Sequence, residues 1–147
     1  MSGAEALLDS NVLIAAVAEA HEHHEPSLAL IATRSPRTFA VAAHSYAEAY
    51  STLTRRSPTA PFQWTAEEAW AAMESVATLT MLVGLSPGQT FDAVRAYAAQ
   101  GGVGPRLYDR LIGQAALEHN LPRIVTWNVT HMRGLFPDLE VVDPRGE

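Results

Sequence analysis

Asp9 stands where one apolar run, residues 4–8, gives way to another, residues 12–17. An acid at the point where a buried strand ends and a helix begins is costly unless its charge is offset. The usual offsets are an N-cap, in which the carboxylate accepts helix N–H groups, or a bound cation. Three more side chains of suitable chemistry follow. Asp109 opens a helical segment, where the dipole favours a carboxylate, and it shares an inward face with Ile112 and Ala116. Glu48 lies beside the apolar stripe of its segment, towards His44 and Ser51. Asn128 follows the apolar run that ends at Trp127. Singly, each has an ordinary reading: a cap for Asp9, a first-turn acid for Asp109, a solvated helix residue for Glu48, a cap or turn for Asn128. Gathered, such oxygen donors hold Mg²⁺ or Mn²⁺, hard cations that prefer oxygen ligands. An ion held in this way lowers the pKa of bound water, orients in-line attack and neutralises phosphate charge.

Strands alternating with helices must position these groups. Residues 4–8, 38–42, 78–85, 123–127 and 139–142 read as strands. Helices are expected from 10 to about 20, 26 to about 33, 44 to about 55, 65 to about 77, 89–100 and 106–120, with a short helix or turn at 128–135. Ser10 or Asp9 is the cap of the first, and Thr65 with Glu68 has the spacing of a capping box. This order predicts a mainly parallel sheet covered on both faces. Ligands of such folds gather at the carboxyl ends of the strands, which is where Asp9, Glu48 and Asn128 fall.

A chain of 147 residues suits one domain with a proper core, and no boundary, repeat or low-complexity segment divides it. With 48% hydrophobic and 18% charged residues the balance is that of a globular protein. No apolar run approaches the roughly 20 residues of a membrane span, and no signal peptide is expected at the N-terminus. The absence of cysteine excludes disulfides and thiolate metal sites and fits a cytoplasmic protein. The net charge of −6 argues against a general nucleic-acid binder, so any RNA or DNA must be handled by a local, metal-bridged site. All ten basic residues are arginine. That removes the P-loop and kinase lysines, Schiff-base chemistry and a serine–lysine dyad.

Four segments in order, residues 7–14 (LLDSNVLI), 45–50 (SYAEAY), 108–116 (YDRLIGQAA) and 124–132 (IVTWNVTHM), give the chain its resemblance to the PIN-domain family. Within that family they resemble the toxin ribonucleases of VapBC toxin–antitoxin pairs, over essentially the whole chain. The resemblance implies a PIN-like three-layer α/β/α sandwich with a mainly parallel sheet of four to five strands, as a single domain over residues 1–147. It implies that Asp9, Glu48 and Asp109 converge as acidic ligands of Mg²⁺, or Mn²⁺, in a metal-dependent endoribonuclease. Asn11 resembles the small polar residue that orients the first aspartate, and Thr126 supports the site through its hydroxyl. Asn128 stands where many relatives carry aspartate. An amide can ligate but brings no charge, so a second ion would be held more weakly. Arg106 and Arg110 are expected to grip flanking phosphates or to be surface residues. The partners implied are RNA, a cognate VapB-type antitoxin whose arginine could enter the acidic site, and a second copy in a homodimer. Helices between residues 26 and 77 are the expected dimer surface.

Two further readings stand beside this one. A PIN-like module could bind RNA or protein without cleaving it. A phosphotransfer hydrolase with Asp9 as nucleophile is weaker, since the partner two residues later is Asn11 and no helper lysine exists. His21, His23 and His24 with Glu22 and Glu25 have the composition of a metal tract, but nothing completes a tetrahedral site, and an exposed loop is expected. His131 is read as a helix-side structural residue. Trp64, Trp70 and Trp127 are read as core or interface residues. Residues 101–104 do not match a nucleotide-binding loop, and the sequon at 128–130 is incidental without a secretory signal.

Overall fold

The computed structural model describes residues 4–147. Along it run β1 (Ala6–Leu8), α1 (Ser10–Val17), α2 (His24–Ala32), β2 (Phe39–Ala42), α3 (Ala43–Thr54) and α4 (Ala66–Thr78). There follow β3 (Met81–Val83), α5 (Pro87–Ala99), α6 (Arg106–Glu118), β4 (Arg123–Val125), α7 (Val129–Leu135) and β5 (Glu140–Val142). The strands form one sheet of order β3-β2-β1-β4-β5, every neighbouring pair parallel. The expected architecture is the observed one, with five strands.

Strand alternation divides the core. Ala6, Leu8, Phe39, Val41 and Val125 point to one face, where Leu13, Ala49, Leu53 and Met73 of α1, α3 and α4 cover them. Leu7, Ala40, Ala42, Ile124 and Val141 point to the other, beneath Ile112 and Ala116 of α6 and Met132 of α7. Because side chains alternate with period two, one strand feeds both layers. Burial on both faces is why these strands read as continuous apolar runs.

Several boundaries differ from the sequence expectation, among them the end of α1, at Val17 and not near residue 20. The third strand begins at Met81, not residue 78, because α4 continues through Thr78 and closes when Leu79 N–H donates to Val76. Thr80 Oγ1 completes that end by donating to the same carbonyl at 2.9 Å. The second helix begins at His24, ahead of Pro26, whose missing N–H costs nothing in a first turn. No helix among the described residues is long and apolar enough to cross a membrane.

The strand order places a switch point between β1 and β4. From β1 the chain moves outward to β2 and β3; it returns on the other side as β4 and β5. A crevice opens outside the carboxyl ends at such a point. Leu8 and Val125 are register partners there, so the residues that follow them, Asp9 and Thr126, emerge side by side.

Candidate active site

Asp9 caps α1: its Oδ1 accepts from Ser10 N at 2.7 Å. Its own N–H donates to Val125 across the switch point at 2.9 Å, which fixes the residue to β4. Only 5% of Asp9 is exposed, so its second oxygen needs a partner within the protein. Thr126 supplies it, donating from Oγ1 to Asp9 Oδ2 at 2.9 Å. That hydroxyl also accepts from Asn11 Nδ2 at 3.0 Å and from Asn128 N at 3.0 Å. One donated proton and two filled lone pairs saturate a hydroxyl. Thr126 is itself fully buried, and Asp9 Oδ2 is a closer acceptor for its proton than Asn11 Oδ1, which lies 3.4 Å away. Asn11 closes the loop by accepting from Trp127 N at 3.1 Å through Oδ1. Asn11 thus bears on Asp9 through Thr126.

Glu48 reaches the same crevice from α3 and Asp109 from the first turn of α6. The acids are close enough to feel one another. Burial pushes the Asp9 carboxyl above its ordinary value against the hydrogen bonds from Thr126 and Ser10, and the charge of Asp109 adds to the rise. Glu48 is pushed up to about 7, chiefly by burial and then by the charges of Asp9 and Asp109. Glu48 Oε1 is buried without a hydrogen-bonded partner. His44 Nε2 lies 3.7 Å from it, yet burial lowers the His44 pKa while that of Glu48 rises. A true ion pair would move both the other way, so this contact is not a charge pair.

The donor chemistry suits a hard divalent cation. There are three oxygen-bearing acids, mutual repulsion that a cation would relieve, and one buried oxygen with nothing bound to it. As they stand, the side chains share a field and do not form a closed cage: among the described residues no three His, Asp or Glu side chains form a group that could hold a metal ion.

Asn128 is not brought to the acids by its side chain. It is exposed and sits at the start of α7 without a side-chain cap bond, and it joins the network through its backbone N–H alone. One turn later, His131 Nε2 lies 3.0 Å from Asp109 Oδ2. The nitrogen is buried and its N–H is not aligned with the oxygen, so this is a close polar contact and not a hydrogen bond. His131, expected to be structural, is thus the α7 side chain that touches the acidic group. The sequence signal was its place one helical turn after Asn128.

The arginines divide likewise. Arg110 is held away by Gln100 Oε1 at 2.6 Å and by the ring of Phe136 at 5.6 Å, while Arg106 is exposed. The histidine tract is more ordered than expected of an exposed loop. His23 stacks on Trp127 at 3.8 Å, His24 Nδ1 lies 2.8 Å from Ala15 O, and His21 Nδ1 accepts from His23 N at 3.0 Å. These contacts pin the α1–α2 turn to the loop that carries Thr126. Trp64 packs against the core, whereas Trp70 is 61% exposed.

The PIN domain family model matches residues 6–128. Among solved structures, the Mycobacterium tuberculosis VapC20 toxin, which cleaves the sarcin–ricin loop, superposes with a TM-score of 0.63 at 13% identity, covering 81% of this chain and 86% of that one. VapBC2 of Rickettsia felis, bound to a DNA fragment from its promoter, gives 0.61 at 18% identity over 92% and 96%. A toxin–antitoxin complex from Klebsiella pneumoniae gives 0.63 at 18% identity over 95% and 97%. At these identities the likeness is one of fold. No curated protein sequence matches the chain.

Proposed function

The chain belongs to the PIN-domain family, and from that premise we propose that it is a metal-dependent endoribonuclease toxin of a type II toxin–antitoxin pair. The observation that carries the reading is the gathering of Asp9, Glu48 and Asp109 at the switch point, where burial first and then the charges of the two aspartates raise Glu48 to about 7, and where its Oε1 lies buried without a hydrogen-bonded partner. Mg²⁺ is the proposed cofactor, with Mn²⁺ as the alternative, held by Asp9, Glu48 and Asp109. When bound, such an ion supplies an activated water and a counter-charge for the phosphodiester. The chain's own residues do the positioning. Thr126, with Asn11 and the Asn128 N–H behind it, fixes the Asp9 carboxylate. His131 Nε2 stands 3.0 Å from Asp109 Oδ2 on the side that faces α7. Hydrolysis is expected to leave 5′-phosphate and 3′-hydroxyl ends.

The antitoxin partner is proposed from the kind of complexes its structural neighbours form, and the same setting suggests a single cytoplasmic domain. For the homodimer, exposed Trp70 beside Tyr46 and Met73 offers an apolar surface on α3 and α4, which exposed Leu82 of β3 extends. A non-catalytic PIN-like binding module is the second reading, favoured by one observation: Asn128, which follows β4, brings no negative charge to the three acids. Total cellular RNA incubated with the purified, antitoxin-free protein and Mg²⁺ or Mn²⁺ separates the two. The toxin reading expects discrete cuts that vanish with EDTA and in Asp9→Ala. A folded protein that cuts nothing favours the module.

A further inference from the structure

Cations near the acids are scarce, and this makes the available ones informative. Arg110 is engaged elsewhere, and Arg56 donates to the carbonyls of Gln63 and Trp64 at 2.9 Å each. Arg55 is exposed, and among the described residues its guanidinium has no ion pair, hydrogen bond or ring contact. It lies on the wall of a cavity of about 410 Å³ that Glu48 also lines, together with His44, Ser51 and Tyr108. His44, Glu48, Ser51 and Arg55 recur at helical spacing, so α3 and its C-cap present them as one row. Arg55 sits roughly 10 Å from Glu48 along the helix axis. Tyr108 forms the opposite wall from α6, one residue before Asp109, and its ring is half exposed.

We propose that this cavity is the subsite for a nucleotide flanking the scissile phosphate of single-stranded RNA, with Tyr108 stacking the base and Arg55 holding the adjoining phosphate. The inference deepens the nuclease reading, since it takes Glu48 as part of the reaction site. Three features favour RNA over a peptide. The cavity is walled by Glu48, one of the three acids, and by Tyr108, the chain neighbour of Asp109. It offers an unpaired guanidinium, whose fork matches phosphate geometry. Beside Ala47 its lining sets the polar side chains of His44, Ser51 and Thr52 against one aromatic face, the pairing that single-stranded nucleic acid recruits. An acidic protein needs such a local cation, because its overall charge of −6 repels the strand.

The test is fluorescence anisotropy of a labelled ten-nucleotide oligoadenylate on the full chain with Ca²⁺, comparing parent, Arg55→Ala, Tyr108→Ala and Tyr108→Phe. All three substitutions are at exposed positions, and circular dichroism and melting check their folds. Arg55→Ala is expected to weaken binding about fivefold and to reduce the salt dependence by roughly the share of one phosphate contact. Tyr108→Ala should weaken it about tenfold without changing that dependence, and Tyr108→Phe should bind as the parent does. A parent that does not bind the oligonucleotide, or alanine variants that bind like the parent, overturns the proposal. If variants with unchanged RNA affinity lose a co-encoded protein partner, the cavity is a peptide site instead. Cleavage of cellular RNA with Mn²⁺ is read on the same preparations. Binding that needs both residues, without cleavage, keeps the subsite and removes the nuclease reading. Cleavage with unaffected variants does the reverse.

Discussion

Asp9 carries opposed demands. Its burial and the neighbouring Asp109 raise the free energy of the charged form, while Ser10 and Thr126 lower it. Asp9→Asn removes one repelling charge but keeps an oxygen for only one of those two donors, so the relieved repulsion and the mismatched donor roughly offset. This variant should cut RNA on the order of a hundredfold or more slowly, yet melt within a few degrees of the parent in EDTA at about pH 7. Added Mg²⁺ should raise the parent's melting temperature and leave the variant's unchanged. A variant that melts well below the parent would show that the charge is structural. Glu48 gives a pH signature with a definite sign. Its carboxyl is raised from an ordinary 4.5 to about 7, so the folded state binds the proton more tightly than the unfolded state. The stability this confers is complete below about pH 4.5 and is lost as pH rises through about 7. Because Glu48 is about one-third exposed, screening reduces the loss to roughly 1–2 kcal/mol. Urea midpoints without metal should fall over that window, and Glu48→Gln should flatten the fall. Asp9, Glu48 and Asp109 were legible in the sequence because their flanking strands and helices fix where they emerge. The His131 contact was not, since it depends on how α7 leans on α6, and a histidine inside a short helix carries no signal of its partner.

Two elements decide whether the acids stay in place. The loop after β4 works through Thr126, whose hydroxyl is saturated by Asp9, Asn11 and the Asn128 N–H. Thr126→Val preserves shape but leaves a buried carboxylate oxygen and two donors unmatched. It should cost about 2–3 kcal/mol in urea denaturation, with Thr126→Ser recovering most of the loss. A cost below that of the serine variant would mean that the network contributes nothing. The seam between α6 and α7 works through Gly113. A Cβ there would lie 2.0 Å from Phe136 Cε2, and the Phe136 ring is itself buried. Gly113→Ala gains about 1 kcal/mol in helix propensity and loses more to overpacking. A net destabilisation of about 1–2 kcal/mol is expected, with weaker metal binding because the seam holds Asp109 against His131. Calorimetry with Mn²⁺ checks the second effect. At this scale the sequence was most legible. Continuous apolar runs and helical spacing mark every strand and helix, and the largest misplacement of a strand's start lies where local rules compete. Residues 78–80 carry β-branched threonines that read as strand, but Thr80 Oγ1 bonds back to Val76 and ends α4 there. The hydrogen bond of Arg110 to Gln100 joins the end of α5 to α6, a contact that no helical period announces.

The whole molecule sets how RNA must be held. With a net charge of −6 and no lysine, long-range attraction for a polyanion is absent. Among the ten arginines, Arg34, Arg95, Arg123 and Arg145 face Glu5, Asp92, Glu140 and Asp143. Arg56 and Arg133 are spent on backbone carbonyls, and Arg110 on Gln100. Among the described residues, Arg37, Arg55 and Arg106 are left without such partners. Arg37 precedes β2, at the end of the sheet opposite Asp9, so at most two free arginines lie on the site's side. Each phosphate contact to a single strand contributes about −0.7 to the slope of log affinity against log salt. The slope for a short RNA should therefore be shallow, about −1 to −2, where a basic nuclease of this size would give a steep one. Affinity should instead depend on the divalent ion, because three acids without it repel the strand they are meant to grip. Anisotropy titrations across salt, with Ca²⁺ and with EDTA, measure both quantities. A shallow slope with binding lost in EDTA is the expected pattern. A steep slope that persists in EDTA would mean that the strand rests on a basic surface away from Asp9, and the switch-point crevice would no longer be where this chain holds RNA.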